Sequence, residues 1–202
     1  MPGSHQQSTR RGFTLVEAML AMSIVAIAGS AILIGLANSL DTTHDSLERT
    51  VASGIARQLM DEICGKRYAG AGIGPYQAVN TFGPNSWENS GAGRSRYDDV
   101  DDYHNYSSKP PKDPWGIALG QDDRDGSQRH PNFHISSLQL ANWREQVHVW
   151  YVNESDFAVK LPSYQTSNFR AVEVRVFIDE ADGSTREVAF IRKVIGYVPE
   201  PN

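Results

Sequence analysis

The chain of 202 residues contains one cysteine, Cys64. An internal disulfide is excluded, so any part of the chain that folds in an oxidising compartment does so without that crosslink. A lone thiol in this setting reads as a small apolar residue on a helix face. Proline is missing between Phe13 and Pro75, so nothing in that stretch forces a helix to end. Charge is nearly missing from residues 13–40, where Glu17 is the single ionisable side chain in 28 residues. No Gly-x-Ser-x-Gly elbow, phosphate loop or nucleotide fingerprint occurs, so no motif points to catalysis. Basic residues are outnumbered, 19 Lys and Arg against 24 Asp and Glu. Nucleic acid is not expected as a main ligand, because phosphate binding needs a basic face.

What is present begins with the apolar run. Residues 18–37 are only Met, Leu, Ile, Val, Ala, Gly and Ser. A bilayer core of about 30 Å needs about 20 such residues in a helix. The run is too long for the h-region of a secretory signal, which spans about 7–15 residues. Arg10 and Arg11 flank it on one side; Asp41, Asp45 and Glu48 flank it on the other. Positive charge stays inside, so the N-terminus is expected in the cytoplasm and the rest of the chain outside. Glu17 costs about 2.5–3.5 kcal/mol in a lipid-facing helix. It either stays hydrated near the interface or has a partner.

The run Arg11-Gly12-Phe13-Thr14-Leu15-Val16-Glu17, followed by apolar residues to Leu40, resembles the processing motif of type IV pilins and type II secretion pseudopilins. The resemblance implies a prepilin peptidase that cuts between Gly12 and Phe13 and methylates the new amine of Phe13. It implies that Glu17, fifth in the mature chain, pairs with the Phe13 amine of a neighbouring subunit during assembly. It places the chain in the bacterial inner membrane as a single-pass protein among other pilins or pseudopilins, its head periplasmic or extracellular. Loss of Arg10 and Arg11 leaves 17 basic residues against 24 acidic ones, a net charge of −7.

Four segments are expected: a leader at 1–12, a transmembrane helix at 13–40, an amphipathic continuation at 41–66, and a globular head at 67–202. Leu47, Val51, Ile55, Leu59 and Ile63 recur every four residues between charged ones, which predicts a stripe facing a core. One helix from Phe13 to about Gly65 follows, about 75–80 Å long. Asp41, Thr42, Thr43 and Gly54 are its candidate weak points. Glycine and proline punctuate residues 66–146; this reads as irregular structure, with a helical turn or two expected over 136–146. Gln146 to Val152 reads as a strand. Val172, Val174, Val176 and Ile178 alternate with Glu173, Arg175 and Phe177, turn at Glu180-Ala181-Asp182-Gly183, and return through Val188, Phe190 and Arg192 to Ile195: a β-hairpin. The fold class is α+β, a long N-terminal helix on a C-terminal antiparallel sheet, which is also the pilin-like arrangement the resemblance implies.

Residues 52–63 and the strand at 171–178 are similar to those of minor pseudopilin I and pilus protein V, which implies a minor subunit. Asp113-Pro114-Trp115-Gly116 resembles a loop motif of the major pseudopilin, near which that subunit binds calcium. Two acidic groups are candidates for calcium: Asp98, Asp99, Asp101 and Asp102, and Asp122, Asp123 and Asp125. A solvated acidic loop is the alternative for each, and the second lacks an acid at Gln121. His130 and His134 have a zinc-like spacing without a third ligand, and read as surface histidines. The four tryptophans suit either a carbohydrate or protein contact surface, or anchors of a β-containing domain. The functional expectation is a structural filament subunit. Its alternatives are a minor pilin acting as an adhesin and an unrelated outer domain on a membrane anchor.

Overall fold

A computed structural model describes residues 12, 14–70, 74–121, 127–134 and 139–199. The chain divides into two units, Met1–Leu47 and Glu48–Asn202. One helix, α1 (Leu15–Cys64), runs through the division without a break. Thr42 and Thr43 do not disturb it. Their hydroxyls donate to the carbonyls of Asn38 and Ser39, each at 2.8 Å, so both side chains are satisfied by the helix itself. Gly54 does not interrupt it either.

In the first unit every described residue of α1 is exposed, including Leu20, Ile27, Leu33 and Leu40. The segment is long and apolar enough to cross a membrane by length and composition. Its few hydroxyls suit that setting. Ser23 and Ser30 donate to the Met19 and Ala26 carbonyls at 2.9 and 2.8 Å, so the helix itself satisfies both O–H groups.

The second unit joins the last turns of α1 to a four-stranded antiparallel sheet. The strands are β1 (Ser107–Ser108), β2 (Trp143–Tyr151), β3 (Phe169–Asp179) and β4 (Thr185–Gly196), in that spatial order. β2 and β3 pair Val147 with Val174 and Val149 with Val172; β3 and β4 form the expected hairpin. At its turn the Gly183 N–H reaches the Glu180 carbonyl at 3.1 Å with φ +85°, a conformation glycine adopts without strain. The alternating inward residues Val147, Val149, Val172, Val174, Val176 and Ile178 pack with Ile55, Leu59, Met60 and Ile63 in one core.

The helix stripe departs from the expected one. Ala52, Ile55, Ala56, Leu59, Met60 and Ile63 are buried, whereas Leu47 is 57% and Val51 37% exposed. A strict spacing of four advances about 40° beyond a full turn at each step. Across four such steps Leu47 lies far from the face of Ile63. The contact face follows 3.6 residues per turn and recruits alanine and methionine instead.

The region between helix and hairpin is ordered by buried arginines rather than by apolar periodicity. It contains short 3₁₀ turns at Val79–Thr81, Glu88–Ser90, Asp101–Tyr103 and Pro131–Phe133. Arg170 on β3 has no solvent exposure. It donates to Asp101 at 2.9 Å, to the Tyr151 hydroxyl at 3.1 Å and to the carbonyls of Tyr68 and Pro75, and lies over the Tyr68 and Phe82 rings. Arg94 grips both oxygens of Glu62 on α1, at 3.0 and 2.8 Å, and the Lys112 carbonyl at 3.1 Å. Glu145 on β2 accepts from the Lys112 N–H and the Tyr106 hydroxyl, each at 3.1 Å. Helix, loop and sheet are thus joined by charge-assisted hydrogen bonds out of water. The end of the expected helical segment at 136–146 is corrected: residues 143–146 belong to β2, drawn into the ladder opposite Ile178 to Arg175. Residues 135–138 lie outside the described residues.

Candidate functional site

The N-terminal motif builds the start of α1. The Glu17 N–H donates to the Thr14 hydroxyl at 3.3 Å, and the Ala18 N–H to the Thr14 carbonyl at 3.1 Å. Thr14 is therefore the N-cap, and Glu17 stands at the third helical position. This is the Ser/Thr-x-x-Glu spacing of a capping box, in which an acid near the helix start is favoured by the orphan N–H groups. The sequence carries the signal as Thr14-Leu15-Val16-Glu17, embedded at the head of an apolar run. Glu17 is exposed and forms no ion pair among the described residues. Gly12 is exposed; Phe13 lies outside the described residues. The geometry thus presents a capped helix whose acid sits one turn from the expected new terminus, and whose apolar residues up to Leu47 are all exposed among the described residues.

The acidic segment 98–102 does not present its four aspartates as one set. Asp99 Oδ1 accepts the N–H groups of Asp101 and Asp102 at 2.9 and 3.2 Å; Asp102 Oδ2 accepts those of Asp98 and Asp99 at 2.9 and 3.2 Å. Asp101 holds Arg170, and Asp98 pairs with Arg67 at 2.8 Å. These carboxylates first of all tie a tight turn. Burial raises Asp99 to about 8, reinforced by its hydrogen bond with Asp101 and the negative charge beside it. Burial likewise raises Asp102 to about 6, against the backbone N–H groups that favour its charged form. Glu88, which the sequence did not single out, joins them: ligand atoms of Glu88, Asp98 and Asp102 lie within 4.8 Å of one another. These three are the described residues here that could hold a hard cation. Asp122, Asp123 and Asp125 lie outside the described residues.

The Asp113-Pro114-Trp115-Gly116 segment forms a tight turn. The Asp113 carboxylate accepts the Ile117 N–H at 2.7 Å, and the Gly116 N–H reaches the Asp113 carbonyl at 3.1 Å. Gly93 abuts it closely. A Cβ there would stand 2.3 Å from the Gly116 nitrogen, at a φ of +54°, so only glycine fits. That approach lets the Arg94 N–H reach the Pro114 carbonyl at 2.6 Å and aims the arginine at Glu62. The motif serves this packing. His130 and His134 flank the 3₁₀ turn at Pro131–Phe133. His130 Nδ1 accepts the Asn132 N–H and the His134 ring contacts the Arg129 carbonyl, so each has a local structural contact.

Residues 7–33 match the family model of the prokaryotic N-terminal methylation motif. No curated protein and no solved structure matches the chain. The matched residues contain the glycine, the cap and the acid just described, and they open the apolar half of α1. Motif and helix together support the type IV pilin and pseudopilin family, a family of structural proteins, for this chain.

Proposed function

We propose that the chain is a subunit, of the minor class, of a type II secretion pseudopilus or a type IV pilus. A prepilin peptidase cuts between Gly12 and Phe13 and methylates Phe13. The chain remains in the inner membrane by residues 13–40, head outward, until it joins other pilins or pseudopilins. The observation that carries this reading is the coincidence of the methylation motif with a helix half whose apolar residues are all exposed among the described residues. Such surface is stable in lipid or against sister helices, and unstable in water. Glu17 then acts at the moment of transfer. Its capped backbone fixes the helix start, and its carboxylate gains the Phe13 amine of a neighbour, which removes the cost of carrying the acid in lipid.

The test is Glu17→Ala, followed by anchor processing and filament incorporation in cells. The variant is expected to be cleaved and to keep a normally folded head, yet to fall out of the sheared filament fraction. Normal incorporation of Glu17→Ala contradicts the pairing role.

A further inference from the structure

The face of the sheet turned away from α1 carries a hollow that the filament role does not use. Its volume is about 550 Å³, within the range of small-ligand pockets. The floor is made by outward residues of β2 and β3, with His148 opposite Glu173 and Gln146 opposite Arg175. The walls are held by backbone. The Leu161 N–H bonds to the Tyr151 carbonyl at 2.9 Å, and the Val79 N–H to the Ser163 carbonyl at 3.3 Å. Lys160 is placed by its bridge to Val152.

Three features of this hollow ask for a ligand with both hydroxyls and a negative charge. The first is an unused donor. Trp150 lines the hollow and is 8% exposed, and its indole N–H is buried without an acceptor. The second is charge. Arg175 is shared by Glu173 and Glu187 at 2.9 and 3.0 Å, whereas Lys160 forms no ion pair among the described residues and rests 4.7 Å over the Trp150 ring. The third is a set of directional polar groups beside apolar ones. His104 Nδ1 accepts the Val149 N–H at 3.2 Å, so its proton sits on Nε2 when the ring is neutral. His148 Nδ1 meets Asn105 Oδ1 at 3.1 Å. Burial lowers both imidazoles below the usual range, and the two nearby cations add to this at His148, so both favour the neutral, directional form. Phe177, Leu161 and Val79 supply apolar wall.

We infer that this hollow binds an acidic sugar, a hexuronate unit, with its carboxylate on Lys160 and its hydroxyls on the histidine, asparagine and glutamine side chains. A neutral sugar leaves Lys160 unanswered; an acidic peptide side chain leaves the ring of hydrogen-bonding groups unanswered. The site does not depend on filament assembly.

The test is titration of the full chain, held in a zwitterionic detergent free of sugar headgroups, with glucuronate, glucose and an acidic dipeptide. Calorimetry and the imidazole NMR signals of His104 and His148 are followed. Saturable glucuronate binding is expected, at least tenfold tighter than glucose or the dipeptide, with both imidazole signals moving. Lys160→Gln, a change at an exposed side chain, is expected to weaken it at least tenfold, and Trp150→Phe to weaken it without loss of the fold. Four results overturn the inference: no saturation by glucuronate; equal binding of glucose; a dipeptide as tight as glucuronate; or full binding by Lys160→Gln.

Discussion

The two halves of α1 are one helix in two environments. Before Leu47 its apolar residues point in every direction and none is buried; after Glu48 they gather on one face and disappear beneath a sheet. Backbone and hydrogen bonding are the same in both. The difference lies in the arrangement of side chains around the axis. A helix apolar all round is stable only where its surroundings are apolar on all sides. A helix apolar on one stripe makes its own core. The first half therefore suits the apolar surroundings that the proposed anchor and assembly role supplies, and the second builds the fold of the head.

That contrast gives an ordered set of expectations. The largest concerns the buried charge that organises the head. Arg170→Ala removes the only cation within ion-pair distance of Asp101 among the described residues, and takes its donors from that carboxylate and from the Tyr68 carbonyl, while the Pro75 carbonyl keeps the Tyr151 hydroxyl at 2.8 Å. A loss of about 3–5 kcal/mol is expected in denaturant unfolding of the head. Next is a matched pair of truncations on the same helix. Leu59→Ala empties a buried site and is expected to cost about 2–5 kcal/mol, whereas Leu33→Ala, in the exposed half, leaves head unfolding unchanged. Equal effects from the two would erase the division between the halves.

A third expectation concerns pH. Asp99 favours its protonated form in the folded head, raised to about 8 from a usual 3.8. Folding is then fully supported by this group below about pH 4, and that support is lost as pH rises toward 8. Asp99→Asn keeps an acceptor for the Asp101 and Asp102 N–H groups and cannot ionise. Its stability relative to the natural protein should grow steadily across that interval, read as the difference between urea midpoints. A flat difference means that Asp99 ionises freely in the fold.

Much of this architecture is legible in the residues themselves. The absence of proline, the unbroken apolar run and the period-two pattern of Val172 to Ile178 lead to α1 and the β3–β4 hairpin, because each depends on neighbours close in sequence. The middle of the chain is not legible for the opposite reason. Its turns are fixed by Arg170, Arg94 and Glu145, whose partners lie tens of residues away, and whose charges suggest surface when read alone. The acidic run at 98–102 shows the same limit. Read in line it is a ligand set; in space it is a self-capped turn whose nearest fellow acid is Glu88. At the N-terminus the methylation motif is legible because it is contiguous in sequence, and the Thr14 cap lies within the same few residues. The outer hollow is invisible in sequence, since its residues come from five separate stretches.

The central claim is that the exposed half of α1 belongs to a trimmed, modified subunit held among its kind. Mass spectrometry of the chain recovered from native envelopes tests it most directly. The account predicts a mature terminus at Phe13 carrying one added methyl group on its amine. A chain that retains residues 1–12, with an unmodified Phe13 inside it, contradicts the account.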